Sequence, residues 1–249
     1  MMGTSSEIRM QAQARAASYA FLAWLFLEPP DADFVTRLLA DDLQDSLGSL
    51  TSSSSADSRI IVGLQMMRSS LQTENPCTVE DMCLALAVER TRLLRGLARE
   101  YGPPPPYESL YRSSEASGGN SFLVQMAEFY RYAQIDLPAE RADRLDYLGL
   151  ELDLMRLLCE EEMRSVDQGD TEEAEGFAHL QHWFLQEHLL TWAPQYCESI
   201  LSHSAAGFYQ GVAQLLLGFL EEQSRIEAEH RYGSQELSSV PQPGVGRGR

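Results

Sequence analysis

Apolar residues recur at helical spacing along nearly the whole chain, and this periodicity predicts a succession of helices. From Ser5 to Leu27 the pattern is continuous, and Pro29-Pro30 predicts its stop. Asp31 is placed to cap a second helix with Phe34, Val35, Leu38, Leu39 and Leu43 on one face. The run Thr51-Ser52-Ser53-Ser54-Ser55 reads as a polar connector. Ile60, Ile61, Leu64, Met67 and Leu71 mark a third helix, and Pro76 breaks the pattern. Thr78, with Asp81 three residues on, predicts a fourth helix that carries Leu84, Leu86, Val88, Leu93 and Leu94 and fades near Gly96.

From about Ala98 to Asn120 the periodicity is lost. This stretch holds Gly102, Pro103 to Pro106 and Gly118-Gly119, a density of proline that no helix interior accepts. Helical spacing then resumes over Ser121–Gln134, about Ala142 to Val166, Glu172–Leu189, a helix with Pro194 in its first turn, and Ala205 to about Arg231. Gly169-Asp170 reads as a turn. No stretch alternates with period two, so essentially no sheet is expected, and no internal repeat is present. The pattern predicts an all-α fold: a single globular helical domain of about 8–10 helices over residues 1–232, with a long Pro/Gly-rich loop in the middle. Residues 233–249 read as a disordered C-terminal tail.

A chain of 249 residues can bury a sizeable core without disulfides or metal. Nineteen Lys+Arg against 37 Asp+Glu give a net charge of −18, which disfavours nucleic acid and anionic membranes and favours a basic partner. Four cysteines at 77, 83, 159 and 197, without a CxxC, suit a reducing compartment; Cys159 and Cys197 lie in apolar periodicity and read as core thiols. The longest early apolar run, Tyr19 to Leu27, is short of the roughly 20 residues a membrane helix needs, and no leader pattern is present. The expected location is cytoplasmic, with no stable membrane insertion.

Candidate chemistry is sparse. His179 and His182 are three apart on one predicted helix, with His188 further on, but no HExxH or paired ExxH set accompanies them, and surface or structural roles are expected. Glu160-Glu161-Glu162 and Glu172-Glu173 read as solvated helix faces. No nucleophile elbow, Walker A loop or GxGxxG is present, so nothing points to an enzyme. The distinctive segment is Pro105-Pro106-Tyr107-Glu108-Ser109-Leu110-Tyr111, whose composition fits either a crossover between helical halves or a peptide-binding edge.

The ordered motifs resemble the TorD/DmsD-type redox-enzyme maturation chaperones, related to the nitrate reductase delta-subunit family. Tyr19 to Phe26 followed by Pro29-Pro30 resembles the family's opening helix. Glu89-Arg90-Thr91-Arg92-Leu93-Leu94 is similar to Glu-Tyr-x-Arg-Leu-Phe, with Arg90 in place of Tyr and Leu94 in place of Phe. Pro105 to Tyr111 resembles the loop Pro-Pro-(Tyr/Trp)-x-Ser-(Val/Leu)-Tyr. Asp146 to Met155 resembles Asp-His-Leu-x-x-Glu-Leu-x-x-Met, with Tyr147 in place of His. Phe184 to Trp192 is similar to Phe…His-Leu…Trp.

The resemblance implies an all-helical, non-enzymatic protein without cofactor or metal of its own. It implies binding to the twin-arginine signal region and apo-form of a molybdopterin oxidoreductase catalytic subunit, before cofactor insertion and export. Implied client-binding residues are Pro106, Tyr107, Glu108, Ser109, Tyr111, Asp146 and Tyr147. Glu151, five residues beyond Asp146, is expected to point elsewhere. The −18 charge suggests an acidic rim beside an apolar groove. A metal-dependent hydrolase using the His179/His182 region and a permanent adaptor subunit are the alternatives. Monomer and domain-swapped dimer are both compatible with the sequence.

Overall fold

The computed structural model describes residues 4–40, 58–72, 78–96, 102–112, 120–136, 143–204 and 207–238. In chain order they form α1 (Ser5–Leu27), α2 (Ala32–Leu39), α3 (Arg59–Leu71), α4 (Val79–Leu94), α5 (Glu108–Tyr111) and α6 (Asn120–Tyr132), then α7 (Leu148–Gln168) and α8 (Thr171–Phe184). A π-helical turn (Leu185–Leu189) leads into α9 (Leu190–His203), and α10 (Gly207–Ser238) completes the order. The fold is all-α. Among the described residues no strand forms, and the one extended pairing is an isolated antiparallel bridge between Tyr107 and Tyr147.

Local chemistry explains most helix starts. Thr4 and Glu7 form a reciprocal capping box at α1, and Thr78 and Asp81 form another at α4. Asp31 accepts from Phe34 N at α2, Ser58 from Ile61 N at α3, and Asp170 from Glu173 N at α8. Gly169 ends α7 in the left-handed conformation (φ 78°), where an L side chain is strained.

The core is built around α1, which packs most extensively on α7, and around α10, which packs on α3. Tyr19, Leu22, Leu25 and Phe26 of α1 meet Leu148, Leu152, Met155 and Leu158 of α7 in one buried cluster with Trp192 and Tyr196 of α9 and Leu215, Leu216 and Phe219 of α10. Leu152 and Met155 are fully buried, whereas Trp24 is half-buried, with its ring 4.8 Å from that of Phe34.

Three details depart from the sequence expectation. Glu162 is not a solvated member of its acidic run. Arg15 of α1 donates to it (2.5 Å), Gln181 of α8 donates to it (2.7 Å), and the Cys159 thiol donates to Gln181 (3.2 Å), a polar tie joining α1, α7 and α8. Leu84 and Val88 of α4 are exposed rather than core-facing. The last helix runs to Ser238, past Arg231. The Thr51–Ser55 connector, Pro76 and Cys77 lie outside the described residues, as do 239–249 and, within the Pro/Gly-rich stretch, 97–101 and 113–119. The described part of that stretch, 102–112, carries the single helical turn α5.

Candidate functional site

The segment 102–112 is clasped to the entry of α7. Neither Tyr107, before α5, nor Tyr147, before α7, makes a side-chain cap. Each helix start is instead satisfied by the other's approach segment. Glu108 N donates to Asp146 O (2.8 Å) and Leu148 N donates to Pro106 O (3.0 Å). Asp146 Oδ2 accepts from Ser109 N (3.2 Å), so its carboxylate caps α5 from 37 residues away. The rings of Tyr107 and Tyr147 stand 5.3 Å apart above this junction. The Tyr111 hydroxyl donates back to Pro104 O (2.8 Å), and its ring packs on Trp192 and Tyr196.

Beneath the clasp lies a buried charge cluster. The Glu108 carboxylate, 0% exposed, meets His188 Nδ1 from the π-helical turn at 2.8 and 3.0 Å. Arg112, one turn on, donates to Glu108 Oε1 and to Glu187 O (2.7 Å), with its guanidinium carbon 5.6 Å from the centre of the Phe122 ring. Glu151 of α7 lies beside Glu108. Its Oε2 accepts from Trp192 Nε1 (3.1 Å), while its Oε1 has no donor facing it. Burial pushes the Glu151 carboxyl well above the ordinary carboxylate range, and the negative charges of Glu108 and Asp146 push the same way. A proton on Glu151 relieves the repulsion and makes it a donor to Glu108.

Two of the three residues that depart from the resembled motifs, Arg90 and Tyr147, meet at one atom. Arg90 Nη2 (2.5 Å) and the Tyr147 hydroxyl (2.8 Å) both donate to Phe26 O in the last turn of α1. That carbonyl carries the partial negative charge of a helix C-terminus, and α1 has no basic residue of its own there. Burial pushes the Tyr147 phenol up to about 12, although the positive charges of Arg90, Arg95 and Arg144 pull it down.

The structure therefore brings Pro106, Tyr107, Glu108, Ser109, Tyr111, Asp146 and Tyr147 into one junction. The two acids of this set do not stand at its rim. Glu108 and Asp146 are buried, three arginines (Arg90, Arg95 and Arg144) act on Tyr147, and the parts open to solvent are Leu110 and, in part, Tyr107, Ser109, Tyr111 and Tyr147. Glu151 also departs from expectation: it belongs to the cluster. Asp146 precedes the helix, so helical geometry does not relate the two side chains, and Glu151, in the first turn of α7, faces back toward the clasp. The parts of Arg112 and Trp192 in the cluster were not foreseen, although the four-residue spacing of Glu108 and Arg112 and the Phe184…Trp192 motif carry the signal. Among the described residues no three His, Cys, Asp or Glu side chains converge to hold a metal ion, and His179 is exposed. Among them, too, no helix is long and apolar enough to cross a membrane.

The clasp and the buried cluster lie within or beside a stretch that matches a known family. Residues 67–198, more than half of the chain, match the family described as nitrate reductase delta subunit. The chain belongs to that family. Similar curated relatives include a probable Tat proofreading chaperone DmsD of Haemophilus influenzae, 29% identical over 120 residues, covering 48% of this chain and 52% of the relative. A chaperone protein TorD of Aliivibrio fischeri is 28% identical over 116 residues, covering 47% and 53%. The chain thus spans about half the length of these two relatives. A chaperone protein TorD of Vibrio cholerae is 25% identical over 221 residues, covering 87% of this chain and 93% of the relative. These relatives are named as chaperones, not enzymes.

Proposed function

We propose that the chain is a system-specific maturation chaperone in the cytoplasm. Its client is the catalytic subunit of a molybdopterin-containing oxidoreductase, bound through the twin-arginine signal region and held until cofactor insertion and export. The observation that carries this reading is the reciprocal clasp of Pro106–Tyr111 on Asp146–Leu148, in a family whose matched members are named TorD and DmsD chaperones. Two motifs distant in sequence are held at fixed spacing, and the half-open Tyr107 and Tyr147 rings with exposed Leu110 offer an apolar contact for the leader's hydrophobic stretch. The chain's net charge of −18 draws a cationic leader from a distance.

Calorimetry of the full chain against a synthetic twin-arginine leader tests this. Tyr107→Ala, whose ring makes the contact without serving a hydrogen bond described above, is expected to weaken binding roughly tenfold or more, the worth of a buried aromatic contact. Unchanged binding by a folded Tyr107→Ala protein moves the site elsewhere. No binding of any leader by the parent protein removes the reading.

A further inference from the structure

The cluster under the clasp holds a complete seat for a guanidinium group, and the protein's own arginine sits in it. The seat has three parts. The Glu108 carboxylate, both of whose oxygens meet His188 Nδ1, supplies the charge. Glu187 O, in the π-helical turn, supplies a second acceptor at 2.7 Å. The buried Phe122 ring supplies an aromatic surface 5.6 Å from the guanidinium carbon. A forked planar cation with apolar faces matches all three at once; a lysine ammonium, a compact and strongly hydrated point charge without a fork or a flat face, fits them less well. Every cationic side chain in this chain that is not histidine is an arginine.

Arg112 fills the seat as the open piece of a closed structure. Glu108, Phe122 and His188 are buried, whereas the Arg112 side chain keeps 31% of its surface in solvent. A cation reaching Glu108 from outside must therefore take the place of the Arg112 head. The exchange leaves one guanidinium on one buried carboxylate, so the interior charge does not change. Simple loss of Arg112 leaves two buried acids, Glu108 and Glu151, with His188 Nδ1 as the remaining side-chain neighbour of the Glu108 oxygens, and Glu151 Oε1 already faces no donor.

We infer that this seat is the subsite for an arginine of a bound peptide, with Arg112 as its resident competitor. The inference rests on the peptide-binding reading above and adds which acid takes the arginine and what must leave first. Arg112 lowers apparent affinity in proportion to the time it spends seated: occupancy of about nine-tenths costs about tenfold. It also rejects peptides whose cation cannot displace it, so lysine-bearing leaders are selected against.

The test uses full-length Arg112→Ala, with N-propylguanidinium and N-propylammonium as probes and the twin-arginine leader as ligand. N-propylguanidinium is expected to raise the melting temperature of Arg112→Ala saturably, N-propylammonium much less, and neither that of the parent. Adding Glu108→Gln to Arg112→Ala abolishes the effect. The leader binds Arg112→Ala roughly tenfold more tightly than the parent. In the parent, the Arg112 Nε–H resonance shifts on saturation with leader, a readout that needs no variant to fold. A static Arg112 resonance under saturating leader, or a folded Arg112→Ala that takes up no guanidinium and binds leader no more tightly, overturns the inference and leaves Arg112 an intrahelical tie. If N-propylguanidinium enters Arg112→Ala but no leader binds either protein, the seat stands and the peptide-binding reading falls.

Discussion

Glu151 is an acid whose surroundings oppose its charge. It is fully buried, faces Glu108, and has one donor, Trp192 Nε1, for two oxygens. Its folded-state affinity for a proton is raised above the ordinary value of 4.5, so its sign is opposite to that of a salt-bridged carboxylate. The folded state takes up this proton more readily than the unfolded one. The stability it brings is fully present below about pH 4.5 and is lost as pH rises toward the folded-state value. Glu151→Gln keeps the shape and a donor for Glu108 without the charge. It is expected to raise stability at pH 7 by about 1–3 kcal/mol, the cost of an uncompensated buried polar group, with the gain shrinking toward pH 4.5. Melting curves of parent and variant across that range check it; parallel curves would show that Glu151 is not charge-strained. This residue also marks where sequence reasoning stopped. Counting five residues from Asp146 assumes a helix that begins only at Leu148, and the partner that matters, His188, is 80 residues from Glu108.

At the scale of elements, the cap chemistry of Asp31, Thr78 and Asp170 was legible because it is local to each helix. The turn α5 and the start of α7 were not, because each is capped by the other from across the fold. The expected helix with Pro194 near its start forms as α9. The chain passes through the π-helical turn Leu185–Leu189 into α9, and Pro194 sits in the first turns after it. The crossing of α3 and α10 shows a further demand that periodicity alone hides. A Cβ at Gly211 would meet Gly63 O at 2.5 Å and Met67 N at 2.8 Å, so the two helices touch backbone to backbone. Alanine gains up to about 1 kcal/mol in helix propensity over glycine, but here the obstructing atoms are main chain and cannot swing aside. Gly211→Ala is expected to destabilise the protein by roughly 1–3 kcal/mol net, measured by chemical denaturation. A neutral or stabilising effect would mean that the two helices separate easily.

For the whole molecule, the charge and the site act at different ranges. The net −18 belongs to the whole chain, whereas the acids at the clasp are interior and already partnered by Ser109 N, His188 and Arg112. The all-helical class and the two segments that meet at the clasp were legible in the sequence; the burial of Glu108 and Asp146 was not, because composition gives the number of charges and not the side of the surface on which they fall. Attraction of a cationic leader should therefore be mostly long-range. Raising salt from about 0.05 to 0.5 M is expected to slow association several-fold while changing dissociation little, as followed by stopped-flow fluorescence. The central claim is that the clasp is the client site. Hydrogen–deuterium exchange on the full chain, with and without saturating twin-arginine leader, tests it most directly. The account predicts that the leader changes exchange at 106–112, at 143–148 and in the π-helical turn Leu185–Leu189, and leaves the α3–α10 crossing unchanged. Protection confined to other helices, with these three segments unaltered under a bound leader, would contradict it.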